Sequence, residues 1–199
     1  MTNPCISRSA RRLSIHLIAV LLCAAAAGCG ALYKVKPVVE APMPEAARAS
    51  EAGSIGLRAA PLLTDEESQE LFEANLPLAG LLPVRVEITN KSGALIEIKR
   101  ARFRLRDAEG REWKSRSAKD AVSRILSDNK VTLYNPRSRA QFEEAVEAHT
   151  LDTRRPLAAS ETRRGIIFFQ APKSEQVRTP TGLILYVERL AQPLEIALN

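Results

Sequence analysis

Residues 82–89 read LPVRVEIT, with Val84, Val86 and Ile88 on one side and Arg85, Glu87 and Thr89 on the other. Alternation of period two buries a single face only when the backbone is a β-strand. Other segments share the habit. Residues 55–63 (IGLRAAPLL) read as a first strand; Ile96 and Ile98 oppose Leu95, Glu97 and Lys99; Phe103 and Leu105 oppose Arg102, Arg104 and Arg106. The phase slips by one residue near Arg100-Ala101, which predicts a β-bulge within one strand. Asn90-Lys91-Ser92-Gly93 and Asp107-Ala108-Glu109-Gly110 are turn sequences, and residues 111–114 return with Trp113. Residues 163–170 (RRGIIFFQ) are nearly continuously apolar, as in a strand buried on both faces. Residues 182–190 and 193–198 supply the last two strands. About seven short strands divided by turns predict a mainly β fold, an immunoglobulin-like antiparallel β-sandwich over residues 54–199.

Two regions change period. Thr64-Asp65-Glu66-Glu67 spells a capping box, in which hydroxyl and carboxylate satisfy each other's backbone amides, so a short helix follows to about Ala74. After Ser117, a second N-cap, the apolar residues Ala118, Ala121, Val122, Ile125 and Leu126 recur at helical spacing. Asn135-Pro136 stops the chain, and Ser138 reads as the cap of another helix with Phe142, Ala145, Val146 and His149 inward. These two helices, about 117–149, form an insertion expected to cover one end of the sandwich.

The N-terminus has a different logic. Arg8, Arg11 and Arg12 precede residues 13–28, a run interrupted only by Ser14 and His16 and crowded with small residues at its end. Crossing a bilayer takes about 20 apolar residues. This shorter run, with a basic start and a small-residue finish, is the pattern of a secretory signal. Its end, Ala26-Ala27-Gly28-Cys29, resembles the lipobox of bacterial lipoproteins, with Ala26 standing where leucine is usual. That resemblance implies a signal peptide over 1–28, diacylglycerol and fatty acid (palmitate) joined covalently to Cys29, and no other cofactor. Cleavage at an Ala-x-Ala site with Cys29 incidental is the competing reading. Gly30 occupies the position where an Asp retains such proteins at the inner membrane, so the resemblance implies the outer membrane, facing the periplasm, in a diderm cell. Cys5 and Cys23 leave with the signal. The whole chain carries 29 Lys+Arg against 23 Asp+Glu; without the three signal arginines the balance is 26 against 23, net +3. A nucleic-acid partner loses its electrostatic support.

Residues 29–53 hold Pro37, Pro42 and Pro44, and read as the lipidated terminus plus an extended spacer. Tyr33, Val35 and the valines at 38 and 39 offer another course, packing along the domain. Within the domain, Asn90 ending a strand, Asp107 and Gly110 before Trp113, and Ser160-Glu161 before Gly165-Ile166-Ile167-Phe168 resemble the telokin-like immunoglobulin-fold domain of bacterial lipoproteins. The likeness covers about 82–114 and 157–198 and implies fold, not catalysis.

Chemistry is sparse. Once the signal is removed, His149 is the single histidine, at a helix end that suits a structural role. No glycine-rich phosphate cradle or G-x-S-x-G elbow occurs, and one histidine cannot furnish a zinc site. The one patterned cluster is an arginine stripe of Arg102, Arg104 and Arg106, with Arg85 expected on a neighbouring strand, able to bind an anionic glycan, headgroup or protein. Solvation with Glu87 and Glu97 as cross-strand partners is its bland counterpart. The sequence therefore predicts a non-enzymatic, bilayer-anchored envelope protein with an unidentified protein or glycan partner. Two alternatives stay open: a ligand-binding or enzymatic domain with its pocket between insertion and sheet, or a structural spacer.

Overall fold

Alternating segments need partners on both edges, and here they find them in a single sheet. The computed structural model describes residues 33–38, 42–133 and 135–199. The signal and lipobox, 1–28 and Cys29, lie outside the described residues, as do residues 39–41 and Tyr134. The strands are β1 (Arg48–Ala52), β2 (Ile55–Pro61), β3 (Leu81–Asn90), β4 (Arg102–Arg106), β5 (Glu112–Arg116), β6 (Thr162–Gln170), β7 (Ile184–Glu188) and β8 (Leu194–Ala197). Their order is β1-β2-β3-β6-β5-β4-β7-β8, every neighbouring pair antiparallel. Cα atoms of β1 and β8 approach within 8 Å, so the sheet is nearly closed and barrel-like.

This corrects the expected sandwich. β5 bonds to β4 on one edge and to β6 on the other, bridging what would have been two separate sheets. Period two is common to sandwiches and barrels, so alternation alone does not separate them. The inner face gathers Leu57, Ala59, Leu82, Val84, Val86, Ile88, Phe103, Leu105, Trp113, Phe169, Leu185, Val187 and Ile196 into one core. These residues also meet in register, as in Leu57↔Ile88, Leu82↔Phe169, Leu105↔Leu185 and Leu185↔Ile196.

A second core lies on the outside of the sheet. It is built by α1 (Asp65–Phe72), α2 (Ala118–Asp128) and α3 (Pro136–Ala148) over Leu81 of β3 and Ile166 and Phe168 of β6. The inserted helices thus cover an outer face, together with α1, instead of one end. β6 is the shared wall: Ile167 and Phe169 face inward while Ile166 and Phe168 meet the helices, which accounts for its continuous apolar run. The Thr64 capping box is present in both directions, and Ser117 caps α2 through the Asp120 amide. The cap of α3 is Asn135, whose Oδ1 accepts from the Arg137 amide, not Ser138. Pro136 then occupies the first turn, where its missing N–H costs nothing.

Two further expectations change. Residues 95–101 are not a bulged strand. Ile96 pairs alone with Leu157, and the Ala101 amide closes a turn onto the Ile98 carbonyl at 2.9 Å before β4 begins. The phase slip marks a turn. Residues 29–53 are not all spacer either. Arg48–Ala52 forms β1, joined to β2 by a two-residue hairpin loop in which Gly53 adopts φ +57°.

The free stretch of the β6 edge beyond β5 is occupied by the chain leaving α3. The Ile166 amide donates to the His149 carbonyl at 2.7 Å, and the Leu151 amide donates to the Ile166 carbonyl at 3.1 Å. The approach is so close that a Cβ on Gly165 would stand 2.4 Å from both Cα and N of Leu151. Backbone cannot retreat as a side-chain tip can. Gly165→Ala is expected to destabilise the domain by about 1–3 kcal/mol or more, measured by denaturant unfolding. Unchanged stability would show that the 149–151 segment is free to move.

Candidate functional site

The residues that carried the family resemblance prove to be structural. Asn90 is fully buried and its Nδ2 donates to the carbonyls of Ala94, Leu157 and Ala158, while its Oδ1 accepts from the Ser92 amide and hydroxyl. Asp107 accepts from the Trp113 indole at 3.0 Å and from the Arg111 side chain and amide at 2.8 and 2.9 Å. Burial pushes its carboxyl up, yet the donors, Trp113 first, hold it below its ordinary range. Gly110 takes φ +74° in that turn, and Ser160 takes φ +60° in the turn just before β6. Glu161 accepts from the Ala158 amide and from Arg163; those bonds, the amide first, hold its carboxyl low.

Arg163 is buried too. Its guanidinium donates to the carbonyls of Asp152, Arg155 and Pro156 as well as to Glu161, so one side chain organises the whole loop between α3 and β6. Asp152 in the same loop accepts from the Arg155 side chain and the Arg154 amide, which bring its pKa from 3.8 down to about 2. A depressed carboxyl contributes stability that is complete above its unfolded pKa and is lost as the pH falls through the folded one. Asp152→Asn is therefore expected to lower the melting temperature near neutral pH, by an amount worth about 1 kcal/mol or less for a partly exposed pair. That gap should close as the pH is taken from 3.8 to about 2. Thermal melts of both proteins across that range provide the check, and a gap independent of pH contradicts it.

His149, the C-cap residue of α3, is 8% exposed. Its Nε2 donates to the Lys36 carbonyl at 2.7 Å, and its ring meets Phe72 edge-on. Lys36 belongs to residues 33–38, which run as a strap across the helical layer. Tyr33 stacks on Phe142 of α3 with ring centres 4.7 Å apart, and burial pushes its phenol up. The Lys36 amide donates to the Leu71 carbonyl at 2.9 Å, its ammonium pairs with Glu70, and the Lys34 amide donates to Glu73. Packing along the domain, the second course open to this segment, is observed for Tyr33 and Val35, while Val38 is exposed and Val39 lies outside the described residues. Tyr33→Ala and His149→Ala are each expected to speed tryptic cleavage after Lys34 several-fold, followed by mass spectrometry. Cleavage at the parental rate would mean the strap is held by other contacts.

The arginine stripe is only partly assembled. Arg102, Arg104 and Arg106 share the outer face of β4, but β3, which carries Arg85, is separated from it by β6 and β5. Glu87 and Glu97 are not the partners. Glu87 instead sits between Arg58 and Arg164 across β2 and β6. Arg104 bonds Glu112 and Glu188, each at 3.1 Å, and Arg106 lies over the Tyr186 ring. The stripe extends instead to Lys114, directly opposite Arg104 on β5, and to Arg116. Pairing order across the sheet decides this, and it is invisible in a single strand's pattern.

Between α2 and the sheet lies a hollow of about 260 Å³ lined by Leu81, Arg116, Asp120, Ser123, Arg124 and Gln170. Arg116 donates to Gln170, and Arg124 donates to the carbonyls of Ala79 and Ser174. Among the described residues no group of three His, Cys, Asp or Glu converges to hold a metal ion, and no helix is long and apolar enough to cross a membrane.

No family model and no curated protein matches this chain. Among solved structures it is similar to a conserved hypothetical protein from Bacillus anthracis, at 12% identity over 76% of this chain and 92% of that one, with a TM-score of 0.37. A likeness of that size carries no argument about fold or function.

Proposed function

We propose that this chain is a bacterial lipoprotein, held by acyl chains on Cys29 at the cell envelope, whose β domain is a non-enzymatic interaction or structural module. The observation that carries the reading is the run over residues 13–28, basic before it and ending in Ala26-Ala27-Gly28-Cys29. One acyl chain holds only marginally at about 0.8 kcal/mol per buried methylene, so two or three make the attachment stable. Gly30 in the following position favours the outer membrane, periplasmic side. The likeness to telokin-like immunoglobulin domains of lipoproteins enters the same proposal only as a likeness of turn and strand sequences at Asn90, Asp107, Gly110, Glu161 and Gly165, since the eight strands here form one sheet.

The use of polar groups inside the domain supports a non-catalytic role. His149, Asn90, Asp107 and Arg163 are all engaged in holding backbone or loop geometry. The surface offered to an acidic envelope protein or anionic glycan is the outer face of β4 and β5, where Arg102 and Lys114 are exposed. The competing reading, a small-ligand or enzymatic domain, is favoured by the hollow beside α2. That hollow is smaller than the roughly 300–1,000 Å³ of ordinary ligand sites, and both its arginines already donate to protein acceptors.

Cys29→Ser is expected to move the protein from the membrane to the soluble fraction. Mass spectrometry of the parent's N-terminal peptide should find diacylglycerol on the Cys29 sulfur. An unmodified thiol in membrane-bound parent protein would remove the anchor and the envelope role with it.

A further inference from the structure

Where the strap begins limits how far the domain can stand from its anchor. Residues 29–53 read in sequence as a spacer, and a free stretch of that length would let the domain swing away from the bilayer. The strap shortens it. Tyr33 is already stacked on Phe142, and the Lys36 backbone is held at both ends, by the Leu71 carbonyl and by His149 Nε2. Only residues 30–32 stand between Cys29 and the first docked side chain. At full extension four residue steps reach about 14 Å. A compact domain of this size has a radius of gyration of about 15 Å, so the tether is shorter than the body it holds. The acylated sulfur lies at the headgroup boundary, and the side of the domain bearing Tyr33 must lie there too.

We infer that, given acylation of Cys29 as proposed above, the domain lies against the phospholipid headgroups with the α1–α3 side turned to the bilayer. That side carries the exposed cations Lys34, beside Tyr33, and Arg137, about 8 Å along α3 from Phe142. It also carries the exposed acids Asp65, Glu66, Glu70 and Glu73 on and after α1 and Glu144 and Glu147 on α3, so the short tether and not charge sets the orientation. Val38, at the end of the strap, is 54% exposed. The opposite end of the sheet is held away. β3 passes under the helices from Leu81 to about Arg85, which lies opposite Ile166, and runs on to Asn90, so the turn at Gly93 lies about 15–20 Å beyond the helical layer. Arg102 and Lys114 on the outer face of β4 and β5, and a groove between β1 and β8 lined by Arg48, Ser50, Glu195 and Asn199, lie off the helical layer and remain open to an envelope partner, whereas Arg116 borders α2.

The test uses the full chain, exported and acylated in bacteria, then reconstituted into phosphatidylethanolamine–phosphatidylglycerol vesicles whose headgroups carry a fluorescence quencher. Acylation blocks Cys29, so one fluorophore can be attached through Arg137→Cys, or through Gly93→Cys, where a Cβ meets nothing within 4 Å. The Arg137→Cys label should be quenched several-fold more than the Gly93→Cys label. A Gly-Ser spacer of about ten residues between Leu32 and Tyr33 should erase that difference while the protein stays on the vesicles. Equal quenching at both positions in acylated, vesicle-bound protein would overturn the orientation and leave the anchor standing, as would a difference that survives the spacer. Protein whose Cys29 mass is unmodified and which fails to join the vesicles would overturn the anchor and the orientation together.

Discussion

Among the described glycines, Gly165 of β6 leaves the least room for a side chain, because the backbone of Leu151, in the segment leaving α3, lies against it. That contact exists because β5 covers only residues 168–170 of that β6 edge, leaving earlier amides and carbonyls to be satisfied by residues 149–151. A buried strand edge cannot stay unpaired without the cost of desolvated polar groups. Filling it pins the end of α3, and the end of α3 carries His149. His149 in turn holds the Lys36 carbonyl and the strap. One missing methyl group therefore connects the barrel wall to the orientation of the N-terminal segment.

The domain's buried polar residues follow a shared pattern. Asn90, Asp107 and Arg163 each gather three or more partners in the loops beside strand ends. Such nodes replace the hydrogen bonds that irregular backbone lacks and fix loop shape without apolar bulk. They explain why these residue types stand at turns in the sequence. They also explain why a resemblance resting on them speaks to architecture and not to reactivity.

Several elements are legible in the residue pattern itself. The capping box at Thr64, the helical spacing after Ser117 and the unbroken apolar run of β6 each express a local rule with a single solution. β1 is hidden because RASEA lacks the β-branched and alternating residues that mark a strand, although Ala52-Gly53-Ser54 before an apolar run is a hairpin signal. The strap is half visible: Tyr33 and Val35 have the composition to pack, but nothing local names Phe142 or His149 as their partners. The arginine stripe fails at the step from one strand to the next, since a pattern within β4 says nothing of which strand lies beside it.

What the chain dictates unaided is therefore local and covalent: which segments are strands or helices, where they are capped, and the lipobox-like four residues at the end of an apolar run. Those depend on neighbours a few positions apart, whose interactions any conformation of the surrounding chain leaves in place. The near-closure of eight strands into one curved sheet, the layer of helices on its outer face, and the docking of residues 33–38 are settled only in three dimensions. Each joins groups far apart in sequence, and such contacts form only when the intervening chain has already folded to bring them together.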